Sequence, residues 1–160
     1  MMKEDKLDSG RSETRKEVRE YFTNYEQWML AALEDSPDVD VKAMTEAYAD
    51  SIMEANPQGV TVYRNDEAYA RQIPGMFEHM RKIGTRAMKV AAMEEYRIDE
   101  YHSAVKINWA ADYRRPKDGK DISIEFAETY LLQFVDGQAQ VFAYVAGDQQ
   151  KVLKENGLAG

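Results

Sequence analysis

Between Thr14 and Glu34 apolar residues recur every three or four positions: Val18, Tyr21, Phe22, Tyr25, Trp28, Met29, Ala32 and Leu33. Arg15, Lys16, Arg19, Glu20 and Glu26 fill the positions between them. This period predicts an amphipathic helix over 14–34. Thr14 with Glu17 reads as a capping box at its start, and Asp35-Ser36-Pro37 ends it, because proline disfavours helical geometry in the preceding residue. Asp38 can then cap a short second helix with Val41, Met44 and Tyr48 on one side.

Ser51 to Glu54 and Val60 to Tyr63 read as two short strands around the turn Asn56-Pro57-Gln58-Gly59. A third helical pattern opens at Asn65 or Asp66, carries Tyr69, Ile73, Phe77, Met80 and Ile83, and closes at Gly84. Pro74-Gly75 interrupts it, which predicts a kink or two consecutive helices. From Thr85 the period changes to two, giving long strands over 85–98, 103–113, 122–135 and 139–145. Turn signals at Asp99-Glu100, Asp118-Gly119 and Asp136-Gly137 make these an antiparallel meander. After Gly147 a tail follows with a short helix around 149–156. Helices first and a twisted sheet afterwards is an α+β layout, with the helices over one face of the sheet.

The chain has 160 residues, the size of one domain. Residues 1–13 read as a flexible tail and 14–160 as a single domain. A formal net charge of −8 argues against nucleic acid as a partner, since such affinity comes from neutralising phosphates with Lys and Arg. The basic groups Arg114-Arg115-Pro116-Lys117 and Arg81-Lys82 with Arg86 read as solvated surface at a turn and a helix end. No apolar run is long enough to span a bilayer, and the first dozen residues lack a signal-peptide core. The chain contains no cysteine, which removes disulfides and thiolate chemistry and fits a cytoplasmic protein.

Recognisable catalytic templates are missing: no Gly-rich phosphate loop, no paired-histidine metal motif, no nucleophile elbow. Neither a metal nor a cofactor is expected. His79, beside the stripe of the third helix, and His102, at a strand start, suit surface or packing roles. Tyr21, Phe22, Tyr25 and Trp28 suit a core, with one or two of them free to line a pocket for a planar apolar ligand. Trp109 suits either core or subunit interface. Val141, Ala143 and Val145 alternate with Phe142 and Tyr144, so the last strand is apolar on both faces and predicts a homodimer through the outer sheet face.

The segment Tyr48-Ala49-Asp50 followed by Asn56-Pro57-Gln58-Gly59, set within this order of elements, resembles the NTF2-like superfamily. Its members share a cone-shaped, cystatin-like α+β fold and include ketosteroid isomerases and SnoaL-like cyclases. The resemblance implies a curved antiparallel sheet with three N-terminal helices over its concave face. Ketosteroid isomerases carry Asp-Pro-x-Gly where this chain has Asn56-Pro57-Gln58-Gly59, so the position of the general base holds an amide, which cannot accept a proton near neutral pH. The enolate-donating tyrosine falls near Met29 and the protonated aspartate near Tyr130. Steroid double-bond isomerisation is therefore not expected.

If Tyr130 points into the cone as its counterpart does, strand parity brings Ile124, Phe126, Glu128, Leu132 and Phe134 to the same face. Glu128 is then a candidate acid or base, the alternative being a carboxylate at the sheet rim or paired with a lysine or arginine. The expected cavity is lined by Tyr25, Trp28, Tyr48, Phe126, Glu128 and Tyr130, with Asn56 near its mouth. Three functions follow as candidates: a SnoaL-like binder of a small apolar molecule; a cofactor-independent isomerase, cyclase or dehydratase using Glu128 with Tyr130 and Asn56; and a dimerisation module.

Overall fold

The computed structural model describes residues 14–158; the tail expected for residues 1–13 lies outside them. Helix α1 (Lys16–Leu33) is followed by α2 (Val41–Glu46), the hairpin β1 (Tyr48–Asn56) and β2 (Gly59–Arg64), and α3 (Glu67–Lys82). Strands β3 (Thr85–Arg97), β4 (His102–Arg114), β5 (Asp121–Val135) and β6 (Gln138–Ala146) then form the meander, and α4 (Gln149–Glu155) closes the described chain. The strands make one six-stranded sheet in the order β2-β1-β6-β5-β4-β3. All ladders are antiparallel except β1 with β6, which is parallel. That exception follows from connectivity: β6 follows β1 only after four intervening strands and α3, too long a path for a hairpin to set the direction.

Each apolar stripe finds one partner. Val18, Tyr21 and Phe22 of α1 pack on Val105, Ile107 and Trp109 of β4, Tyr130 and Leu132 of β5 and Val141 of β6. The far half of α1, with Met29, Ala32 and Leu33, meets Met44 of α2 and Ile73 and Phe77 of α3. Trp109 is fully buried, which makes it core. Alternate burial along β4 leaves Lys106 and Asn108 exposed on the outer face, away from the helices.

The start of α1 differs from its expectation. The helix has Arg15 as N-cap, without a side-chain cap, so the Thr14–Glu17 box does not form. A carboxylate from another strand replaces it: Glu95 of β3 accepts the Arg15 backbone N–H at 2.8 Å, takes the Ser103 hydroxyl at 2.6 Å and lies 3.2 Å from Arg15 Nε. Glu95 is completely buried, and the Arg15 guanidinium sits 4.4 Å from the Phe134 ring centre. An anion at a helix N-terminus satisfies free N–H groups and the macrodipole together.

Three further local expectations are corrected. The second helix is capped by Asp40, which accepts from Ala43 N–H, and not by Asp38. Tyr48 begins β1 instead of closing the helix, since the helix ends at Glu46. α3 runs through Pro74-Gly75 as one helix, so of the two alternatives expected there the pair of consecutive helices does not form. Both residues are exposed, so solvent can satisfy the carbonyl that the proline leaves without a partner.

Gly84 follows α3 at φ +98°. A Cβ there would lie 2.1 Å from the Arg114 carbonyl oxygen, so only glycine lets the chain turn from helix into β3 against the end of β4.

The parity of β6 is broken. Its register against β5 shifts between Leu131 and Leu132, which pair with Ala143 and Val141 and leave Phe142 as the extra residue. Val141 and Tyr144 therefore both face inward, Val141 in the main core and Tyr144 opposite Tyr130. The alternation expected for this strand fails at the bulge. Outward apolar residues remain nonetheless: Met53, Val60, Val62 and Val145 are each about half exposed or more.

Candidate functional site

A cavity of about 560 Å³ lies between the sheet and the helices. That volume is in the usual range for small-molecule sites. α1 supplies Tyr25 and Trp28, α3 Tyr69, Ile73 and Phe77, β1 Tyr48 and Glu54, β2 Tyr63, β5 Phe126, Glu128 and Tyr130, and β6 Tyr144. Its exposed wall residues include Met76 and His79 of α3 and Gln149 and Gln150 of α4.

The structure thus brings Tyr25, Trp28, Tyr48, Phe126, Glu128 and Tyr130 to one cavity. Asn56 is not among its walls. The Asn56 side-chain oxygen accepts the Gln58 backbone N–H at 2.9 Å, so the amide is used inside the β1–β2 turn. The inward position two residues earlier holds Glu54, and that is the acid β1 presents to the cavity. Met29, near which the resemblance sets the donor tyrosine, lines the cavity as a buried thioether.

Glu128 has no ion pair among the described residues. Its partners are neutral: Gln149 Nε2 donates to Oε1 at 2.8 Å and the Tyr130 hydroxyl donates to Oε2 at 3.1 Å. The Tyr130 oxygen accepts the indole N–H of Trp109 at 3.0 Å, which anchors the array in the core. Burial raises the Glu128 pKa, the two hydrogen bonds oppose the rise, and the charge of Glu54 adds to it. Tyr130 is likewise pushed up, first by burial.

Four of the remaining phenols pair by their hydroxyls. Tyr25 and Tyr48 hydroxyls lie 3.3 Å apart, and those of Tyr63 and Tyr144 3.1 Å apart. Tyr63 and Tyr69 rings pack with centres 5.3 Å apart. Burial pushes Tyr25 up to about 12, so it stays a neutral phenol. His79 is an exposed residue of the cavity wall; His102 is not among the wall residues and contacts Asp99 at 2.8 Å. Among the described residues no group of three or more His, Cys, Asp or Glu is placed to hold a metal ion.

Glu54, Tyr63, Tyr69, Tyr144 and the 148–153 segment are wall residues that sequence reasoning did not single out. A signal existed for Glu54, which shares strand parity with Ile52 and Asn56. None existed for Tyr144, whose direction depends on the bulge.

A six-stranded sheet with helices over a cavity on one face defines an α+β cone, and the family comparison agrees with it. The model of the family described as NTF2-like protein (DUF6841) matches residues 15–149, and the chain belongs to that family. Among solved structures, an NTF2-like protein with a cystatin-like fold from Novosphingobium aromaticivorans superposes with a TM-score of 0.62 at 12% identity, covering 91% of this chain and 88% of that one. A putative calcium/calmodulin dependent protein kinase II association domain from Xanthomonas campestris gives 0.59 at 12% identity, over 85% and 89% of the chains. Aln2 from a Streptomyces species gives 0.58 at 14% identity, over 87% and 93%. Identities this low carry the fold alone. The search of curated proteins returned no match. No described helix is long and apolar enough to cross a membrane.

Proposed function

We propose that the protein binds a small molecule, with an apolar or aromatic body, in the cavity between α1, α3 and the sheet. The observation that carries this reading is the convergence of an aromatic wall and hydrogen-bonded Glu128 on one opening of ligand size. The cavity accepts a ring between Tyr25, Trp28, Tyr48 and Phe126 while Glu128 and Tyr130 orient its polar group. The neutral dye 1-N-phenylnaphthylamine tests it: fluorescence should rise on binding, and Ala146→Trp, filling the space beside Glu128, should abolish the rise. Equal dye binding by a folded Ala146→Trp variant would refute the cavity as the site.

A second reading rests on Glu128. A carboxyl group whose pKa is raised by burial, bonded to a phenol, suits proton transfer in a cofactor-independent isomerase, cyclase or dehydratase. With Asn56 spent on its turn, the polar groups available to that chemistry are Glu128, Tyr130 and Glu54. The working unit is proposed as a homodimer, supported by exposed Met53, Val60, Val62 and Val145 on the outer sheet face. The cysteine-free composition suits the cytoplasm.

A further inference from the structure

Resting on the reading of this cavity as a ligand site, we infer that its ligand is an organic cation, an ammonium group carried on an apolar or aromatic body. The charges of the wall decide the sign. Among the described residues Glu54, Glu128 and Asp148 line the cavity with His79 as the one basic side chain, and the wall includes neither lysine nor arginine. Asp148 is occupied in capping α4 through the Lys151 N–H. Glu54 makes no hydrogen bond or ion pair among the described residues, and Glu128 is held by neutral donors only. The two acids therefore share a largely apolar enclosure with no lysine or arginine beside them among the described residues.

The sheet sets their geometry. Glu54 of β1 pairs with Tyr144 of β6, and Tyr144 pairs with Tyr130 of β5, two positions from Glu128. The Tyr144 and Tyr130 rings stand between the acids with centres 6.1 Å apart. Tyr63 and Tyr69 flank the Glu54 side, and Tyr25 the Glu128 side. An ammonium over these rings would meet electron-rich aromatic faces and the field of both carboxylates.

Other ligand classes fit less well. An anion would be repelled, and a neutral apolar molecule would seal the carboxylates away from water with nothing to balance them, a costly burial. A bare metal ion has no cluster of ligating groups here among the described residues. The cation fills the missing role, and the apolar walls at Trp28, Ile73, Phe77 and Phe126 then take its body.

Calorimetric titration of the protein with three probes sharing one ring tests this: 2-(1-naphthyl)ethylammonium, 2-(1-naphthyl)ethanol and 1-naphthylacetate. The ammonium should bind about tenfold or more tightly than the alcohol, with the carboxylate weakest. Glu54→Gln and Glu128→Gln, close to isosteric, should each move the ammonium-to-alcohol affinity ratio toward one. Binding of the alcohol as tight as the ammonium overturns the cationic assignment and leaves the cavity reading in place. Failure of all three probes and of the neutral dye overturns both. A ratio unaltered in both variants would show that the preference arises elsewhere and would sink the assignment to this site.

Discussion

The Tyr130 hydroxyl donates to Glu128 Oε2 at 3.1 Å while its own oxygen accepts the Trp109 indole N–H at 3.0 Å. One phenol therefore joins a fully buried core residue to the acid of the cavity. Tyr130→Phe would leave the Trp109 N–H buried without a partner, and a destabilisation of about 1–3 kcal/mol is expected in urea unfolding. The same substitution removes a bond that favours the charged form of Glu128, so the Glu128 pKa should climb further, read by carboxyl NMR.

Glu128→Gln is expected to stabilise the protein at neutral pH. The folded-state pKa of Glu128 lies above its ordinary value, chiefly through burial. Its contribution is thus fully present below the unfolded pKa and is lost as pH rises through the folded one. Glutamine escapes that loss. Thermal unfolding should show the variant with the higher Tm at pH about 7.5 and the difference shrinking towards pH about 4, where the wild-type side chain is protonated. A gap that widens on acidification would contradict the burial argument.

Glu95→Ala should be among the most damaging single changes. It strips the α1 N-terminus of its acceptor, leaves Ser103 without its partner and abandons Arg15 in a partly buried site. A loss on the order of 3–5 kcal/mol is expected, as for other broken buried ion pairs, measured by chemical denaturation.

Gly84→Ala should cost on the order of 3 kcal/mol, combining an unfavourable positive φ with a Cβ driven into the Arg114 carbonyl. Gly119→Ala also meets a positive φ but has open space around it, so its cost should be clearly smaller in the same denaturation assay.

Met53→Glu tests the proposed dimer. Met53 lies on the outer face, paired with Val62 on one side and Ala143 on the other. A charge there should turn a dimeric mass into a monomeric one by light scattering at micromolar concentration. A monomeric wild type would refute the interface.

Elements with unbroken local periodicity were legible from the residues alone. The α1 stripe from Val18 to Leu33 and the alternation of β5 from Ile124 to Phe134 depend on one period each, and β5 keeps its register against β4 throughout. That is why Phe126, Glu128 and Tyr130 could be assigned a common face. What escaped reading depends on chain segments distant in sequence. The cap of α1 comes from a residue 80 positions away. The inward turn of Tyr144 depends on a bulge that shows only in the pairing with β5. Asn56 drew attention through its motif position, but an amide next to Pro57 was already committed to its own turn, and the acid stood one inward step earlier at Glu54.

The bulge at Phe142 divides the labour of a single strand. Before it, Val141 is sealed under α1; after it, Tyr144 and Ala146 are open to the cavity. Substitutions in the second half therefore reshape the cavity wall directly, at Ala146 outside the main core cluster and at Tyr144 with a cost, since its ring also packs on that core and its hydroxyl meets Tyr63. Natural variation, or a designer, can thus alter the wall most freely at Ala146, while Val141 continues to hold the strand under α1.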